Sequence, residues 1–245
     1  MSTRYVEIPS PRPLRPFVDY LWVHRIAGPP PPTGRRLMPD GRLHLVWVGG
    51  LGVRVSGPLT RYTRPADLPE ILALGAAFHP GAAAQLLRTP TAELVDQHVP
   101  LDALVPGLGA RLDHRLAHAP DLRAAVAAFG AELEYALRDA APPDPAVHHA
   151  VGLLDRATTT VAEVAERAFV SERQLERRFA ELVGYGPKVF QRVLRFQRFL
   201  TQVTVPGMPL ARAAALAGYS DQAHVTRESR RLAGLTPRQL RGYRH

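Results

Sequence analysis

The sequence that decides the fold runs from Val161 to Ser229, where one pattern occurs twice. The first copy is VAEVAERA at 161–168, FV at 169–170 and SERQLERRFAELV at 171–183. The second copy is LARAAALA at 210–217, GYS at 218–220 and DQAHVTRESRRLA at 221–233. In each copy a short alanine-rich helix precedes a tight turn and a longer polar helix. The pattern predicts two helix-turn-helix units in tandem.

The longer helix of each unit carries its own start signal. Ser171 is a good N-cap in the first unit. In the second unit, Gly218 can adopt the positive φ of a helix end, and Ser220 or Asp221 can cap the next helix. Helical spacing predicts an inward stripe in both helices, consisting of Leu175, Phe179 and Leu182, and of Val225 and Leu232.

Residues 161–244 resemble the DNA-binding domain of the AraC/XylS family of bacterial transcriptional regulators. The resemblance is carried by AAALAGYSDQAH at 213–224, by GLTP at 234–237 and by Arg241. It implies that two recognition helices enter successive major grooves of the duplex, about 34 Å apart. The implied DNA-binding residues are Arg173, Glu176 and Arg177 in the first unit, and Gln222, Ala223, His224, Thr226 and Arg227 in the second.

The same resemblance implies the partners. The main partner is double-stranded DNA at a promoter or operator, and RNA polymerase is a further candidate. The first half of the chain would then be a sensor of a small-molecule effector or a module for homodimer formation. No cofactor and no membrane partner are implied.

Two positions depart from the family pattern. Position 229 is Ser where the family buries a large aromatic side chain, which predicts a less well packed second unit. Phe199, in the helix between the units, stands where a small residue is usual and could supply the missing volume.

The distribution of charge supports DNA binding independently of any family. The chain has a net charge of +9, and nearly all of the excess lies in residues 151–245, with 16 basic and 8 acidic side chains. Residues 1–150 carry 15 and 14. Binding to phosphates requires such a concentration of positive charge.

A basic helix is predicted between the two units, from Pro187 to Leu200. Its apolar stripe consists of Val189, Val193, Phe196 and Leu200, widened by Phe190 and Leu194. Three arginines, Arg192, Arg195 and Arg198, lie mostly away from this stripe. They are candidate phosphate contacts, although for at least one of them we favour a solvated surface without DNA contact.

The first half of the chain contains β-prone runs as well as helical stretches, whereas the second half is helical, so the predicted fold class is α+β. Short β-prone runs at 20–24, 43–48 and 53–55 predict a small β-rich unit, and helices are expected at 81–87, 91–97, 109–118 and 121–138. Pro142, Pro143 and Pro145 mark a boundary between an N-terminal domain, 1–141, and the DNA-binding domain, 146–245, with His148 and His149 in the linker. PRPLRPFV at 11–18, MPDG at 38–41 and FHPG at 78–81 resemble a domain of unassigned function that often precedes AraC-type domains.

Composition and motifs limit the other functions. The chain has no cysteine, which excludes disulfides and thiolate chemistry, and no stretch approaches a membrane span, so we expect a cytoplasmic protein. His114 and His118 share a helix face, but no third ligand follows and a metal site is not predicted. His44, Trp47, Trp22 and His79 could line a pocket; alternatively, the tryptophans fill a small core and His44 faces water. No catalytic motif stands out, and no enzyme is predicted.

Three functional classes therefore remain. The leading hypothesis is a sequence-specific transcription regulator. The alternatives are a DNA-binding protein whose N-terminal domain is an enzyme, and an architectural DNA binder without sequence preference.

Overall fold

The computed structural model describes residues 4–28, 34–65, 70–156 and 159–243. The strands are β1 (Arg4–Pro9), β2 (Val18–Ala27), β3 (His44–Val48), β4 (Gly52–Ser56), β5 (Glu70–Phe78) and β6 (His98–Pro100). The helices are α1 (Ala84–Leu87), α2 (Leu108–Ala117), α3 (Leu122–Leu137), α4 (Pro145–Leu154), α5 (Val161–Arg167), α6 (Glu172–Leu182), α7 (Pro187–Val203), α8 (Leu210–Ala217), α9 (Gln222–Ala233) and α10 (Pro237–Arg241). The α+β class with a helical second half is confirmed.

The strands form one antiparallel sheet in the order β1-β2-β5-β3-β4-β6. Strand β5 lies at its centre and pairs with β2 on one side and β3 on the other. Gly75 on β5 makes room for the indole of Trp22, because a methyl group at Gly75 would lie 2.3 Å from Trp22 Cζ2. The absence of a side chain at Gly75 therefore allows the indole of Trp22 to pack closely against the central strand.

Helices α2 and α3 cover one face of the sheet and form the N-terminal core. Leu112 on α2 and Phe129 on α3 are fully buried in one apolar cluster with Leu74 of the central strand. Trp47 on β3 lies in the same cluster, and its indole Nε1 donates a hydrogen bond of 2.7 Å to Asp113 on α2. This bond satisfies the one polar atom that the tryptophan carries into the core.

Alternation along β3 separates the residues that we considered as a pocket. His44 lies on the sheet face opposite Trp47, where its Nδ1 accepts a hydrogen bond of 3.2 Å from Trp22 Nε1. His79 lies elsewhere, beside the carbonyl oxygen of Arg15. Both tryptophans are buried, so the alternative is correct in that they fill apolar clusters. Its other part is wrong, since His44 is half-buried and bonded to Trp22 and Asp40 instead of facing water.

Several predictions for the first half were wrong. Strands β1, β5 and β6 were not predicted; β5 reads EILALGAAF, whose alanines and glycine favour strands only weakly. The helix expected at 91–97 is a single 3-10 turn, Thr91–Leu94, which leads into β6. The helix expected at 81–87 is reduced to α1, whereas α2 and α3 lie where they were predicted.

His148 and His149 do not form a linker, since both lie inside α4. Pro145 is the first residue of this helix, where its missing N–H costs nothing, and Asp144 caps it by accepting from the N–H groups of Ala146 and Val147. The buried side of α4 joins the core of the first helix-turn-helix unit through Val147, Ala150, Leu153 and Leu154.

Candidate nucleic-acid interface

Helices α5 and α6 form the first predicted unit, and both begin with reciprocal caps. Thr160 and Glu163 form a capping box on α5, and Ser171 and Gln174 form one on α6. Each box satisfies two N–H groups that the first helical turn would leave unpaired. Ser171 is thus confirmed as the N-cap of the recognition helix candidate.

The inward and outward sides of α6 are clearly separated. Leu175 and Phe179 are fully buried, and Phe179 lies edge-on to Phe190 of α7. Arg173 and Arg177 are exposed on the opposite side. They present two cations on a helix that is held rigidly from behind, which suits contact with base edges or phosphates.

Glu176 is also exposed but lies toward the start of α7. A methyl group at Gly186, the N-cap of α7, would lie 2.3 Å from Glu176 Oε2. The carboxylate therefore lies close to the positive end of the α7 dipole, which stabilises it there.

Helices α8 and α9 form the second predicted unit. Gly218 ends α8 with a φ of +86°, and Asp221, rather than Ser220, caps α9 by accepting a 2.7 Å hydrogen bond from the N–H of His224. This bond, followed by the one from the Ser220 hydroxyl, lowers the pKa of Asp221. Gln222, Ala223 and Arg227 are exposed along α9.

The other two predicted residues of α9 are half-buried and have partners within the chain. The ring of His224 lies edge-on to Tyr219, with centroids 5.0 Å apart, and its Nε2 is 3.8 Å from Glu228 Oε1. The hydroxyl of Thr226 donates a 2.7 Å hydrogen bond to the carbonyl oxygen of Gln222. His224 and Thr226 thus contribute to the shape of α9 as well as to its outer face.

Glu228 is a residue that the sequence analysis missed. It is buried, and its Oε1 is 3.2 Å from Arg192 Nε on α7. Burial and the neighbouring Glu228 carboxylate raise the pKa of Tyr219. The spacing of Glu228 four residues after His224 was the available signal, since such pairs meet on one side of a helix.

The three arginines of α7 all have partners within the chain. Arg192 pairs with Glu228, Arg195 lies over the ring of Tyr219 at 5.7 Å, and Arg198 pairs with Asp155 at 3.1 Å. These contacts join α7 to α9 and to the end of α4. The arginines therefore help to fix the arrangement of the helices. All three are half-buried, which differs from the solvated surface that we favoured for at least one of them, and the absence of DNA contact there stays a prediction.

Two sequence families match the chain. Residues 164–243 match the family described as a helix-turn-helix domain. The C-terminal domain is an AraC-type helix-turn-helix domain. Residues 6–100, in front of this AraC-type domain, match a domain of unknown function, DUF6597.

Among curated proteins, the chain is 34% identical over 142 residues to the HTH-type transcriptional regulator VirS of Mycobacterium tuberculosis. The match covers 55% of this chain and 41% of VirS, so the chain spans about two fifths of that relative's length.

Solved structures to which the chain is similar include an AraC-type regulator from Chromobacterium violaceum and ToxT from Vibrio cholerae. The first is 26% identical with a TM-score of 0.39, covering 40% of this chain and 90% of its own. ToxT is 8% identical with a TM-score of 0.47, covering 89% and 95%.

Metal and membrane sites receive no support from the described part of the chain. His114 and His118 stack with centroids 4.5 Å apart, but no group of three or more potential metal ligands occurs among the described residues. Within the same residues, no helix is both long and apolar enough to cross a bilayer.

Proposed function

We propose that this protein is a cytoplasmic, sequence-specific DNA-binding regulator of transcription. Its two recognition helices, α6 and α9, would read successive major grooves on one side of an operator. Arg173, Arg177, Gln222, Ala223 and Arg227 would make the direct contacts. Glu176, His224 and Thr226 would contribute through groups that are also engaged within the domain.

The observation that carries this proposal is the pair of exposed polar helix faces on one AraC-type domain that holds most of the net positive charge. Each face is backed by fully buried side chains, Leu175 and Phe179 behind α6 and Val225 and Leu232 behind α9. Rigid support of this kind lets a side chain discriminate between bases, because the contact geometry cannot relax to suit the wrong one. The curated relative VirS is itself a transcriptional regulator by name.

We further propose that the N-terminal domain controls this binding, either by sensing a small-molecule effector or by forming a homodimer. RNA polymerase would be the partner through which a bound regulator acts on a promoter. Sedimentation of the free protein over a range of concentrations separates the two roles, because dimer formation makes the mass depend on concentration and effector sensing alone does not.

The test is competition between the DNA upstream of the gene and random DNA of equal length. A regulator should keep its preference for a specific segment as salt rises, while its affinity for random DNA falls steeply. A protein that binds both equally at every salt concentration would instead be an architectural binder, and the proposal would fail.

A further inference from the structure

Two segments of the N-terminal domain, 36–41 and 62–63, lie against the second helix-turn-helix unit. We call them the clasp. A pair of hydrogen bonds between the backbones of Leu37 and Thr63, 2.9 and 3.0 Å long, joins the two segments. Gly41 lies against α7, since a methyl group there would be 2.8 Å from Cε2 of Phe190. The clasp is therefore an ordered element in contact with the DNA-binding domain.

Met38 of the clasp is buried inside the second unit. Only 8% of its surface is exposed, and it belongs to the apolar cluster of that unit. The cluster also contains Phe196 and Phe199 of α7, Ala213 of α8, Val225 and Leu232 of α9, and Leu240 of α10. Among the described residues, Met38 is the one member of this cluster that comes from the N-terminal domain.

The second unit also buries a small polar residue. Ser229 on α9 is fully buried, and its hydroxyl makes no hydrogen bond within the described residues. Met38 packs among the apolar side chains of this cluster, and an unbranched methionine adapts well to an irregular space. The N-terminal domain thus supplies apolar volume that the second unit does not carry itself.

Two tyrosines, Tyr243 and Tyr62, hold the clasp at the far end of the unit. The hydroxyl of Tyr243 accepts a 2.8 Å hydrogen bond from the N–H of Arg36 and donates one of 3.0 Å to its carbonyl oxygen. The ring of Tyr62 lies against Gly234, which ends α9, and a methyl group at Gly234 would lie 2.4 Å from Tyr62 Cε1. The end of α9 is therefore fixed from outside its own domain.

The base of the clasp is attached to the sheet. Asp40 Oδ2 is 2.8 Å from His44 Nε2, and the other nitrogen of this imidazole accepts from Trp22. Gln197 of α7 donates its side-chain N–H to the carbonyl oxygen of Pro39. A continuous series of contacts thus leads from the sheet, through the clasp, to α7 and α9.

None of these contacts uses the outward residues Gln222, Ala223 and Arg227, which stay exposed. We infer that the clasp completes the core of the second unit, and that Met38 is a positioning residue for the second recognition helix. The inference rests on the proposed function and identifies the clasp as the route by which the N-terminal domain would regulate DNA binding. A change in the N-terminal domain that withdraws Met38 would weaken reading of the second half-site and spare the first.

The experiment compares Met38→Ala with Leu37→Ala in the full chain. Leu37 is the matched control, because it is the adjacent clasp residue and its side chain is 42% exposed. Footprinting on a two-half-site operator gives the readout, and loss of protection in Arg177→Ala and Arg227→Ala assigns each half-site to a helix.

We expect Met38→Ala to weaken protection of the second half-site about tenfold or more, because a truncated core side chain leaves α9 poorly held. Protection of the first half-site should change little, and Leu37→Ala should protect both half-sites as the unchanged protein does. Amide hydrogen exchange should become faster in α9 and stay the same in α6.

Tyr243→Phe is a second, milder variant that keeps the ring and removes both hydrogen bonds to Arg36. It should weaken protection of the second half-site, as Met38→Ala does, but by a smaller factor. Equal weakening of both half-sites, or no difference from Leu37→Ala, would overturn the inference. Absence of any preferred sequence in the unchanged protein would instead overturn the proposed function.

Discussion

Phe169 and Gly218 occupy equivalent positions in the turns of the two helix-turn-helix units, and both have a positive φ, +56° and +86°. Each is followed by one residue and then by the serine that precedes or caps the recognition helix. Glycine adopts this conformation without a steric penalty, whereas an aromatic residue does not. The two turns thus have the same backbone shape at different conformational cost.

Phe169→Gly should stabilise the protein by about 0.5–1 kcal/mol, since relief of left-handed strain exceeds the entropy that glycine adds to the unfolded chain. The side chain is 95% exposed, so little packing is lost. Chemical denaturation measures the effect. Phe169→Ala is the control, because it removes the ring and keeps the strain, and an equal gain in both variants would refute the explanation.

Ser229→Ala should raise the free energy of unfolding by about 1 kcal/mol, because it removes a buried hydroxyl without a partner at almost constant volume. Ser229→Phe should lower it by about 1–3 kcal/mol, since Ser229 is fully buried and a much larger side chain would force its neighbours apart. Thermal unfolding checks both variants. A clear gain from phenylalanine would show that the second unit retains unfilled space, as the sequence alone suggested.

Arg177→Ala should cost about 1–3 kcal/mol at the specific site and relax the preference at one base pair, because an exposed arginine on a recognition helix can contact guanine with two hydrogen bonds. Arg123→Ala, an exposed arginine on α3 of the N-terminal domain, is the control and should have no such effect. Binding titrations with single-base variants of the site supply the measurement. If affinity for random DNA fell by the same factor, Arg177 would be a phosphate contact only.

The pH dependence of stability should reveal the anchor of the clasp. Burial raises the pKa of Asp40, but His44 and Arg42 more than offset this, and the pKa stays below its ordinary value. A carboxyl with a lowered folded pKa adds stability above its unfolded pKa, and this is lost as the pH falls through the folded value. Asp40→Asn should therefore cost about 1–3 kcal/mol at neutral pH and progressively less below about pH 4.

Asp139→Asn is the control for this prediction, because Asp139 forms an exposed ion pair with Arg138, where little stability is expected. Denaturation at a series of pH values gives both curves. If the loss in free energy of unfolding caused by Asp40→Asn stayed constant down to pH 2, the charge of Asp40 would not be what stabilises the clasp.

The helical second half was largely predictable from sequence because its signals are local. Ser171 and Gly218 fix helix ends within a few residues, and the inward stripe of α6 follows from helical spacing. The central strand β5 was missed for the opposite reason. Gly75 leaves room that is filled by Trp22 from another strand, and no local pattern contains that contact.

In the candidate site, too, local patterns predicted the residues of one helix but not the contacts between helices. Exposure of Arg173 and Arg177 could be derived from one helix, but the position of Glu176 beside Gly186 depends on how two helices meet. Burial of Met38 in the second unit joins residues that are about 160–200 positions apart in the chain. A single sequence holds no periodicity that reports such a pairing.

The last prediction concerns residues 142–245 expressed alone, which contain α4 to α10 and lack the clasp. Without Met38 the second unit loses one buried apolar side chain, worth about 1.5–3 kcal/mol, and Tyr243 loses its partner Arg36. We expect α9 and α10 to exchange their amide hydrogens faster than in the full chain, while α5 and α6 change less. The first unit also loses contacts, since Gly184 lies against Pro58 and Val95. Equal protection of α9 in the fragment and in the full chain would mean that the second unit needs nothing from the N-terminal domain.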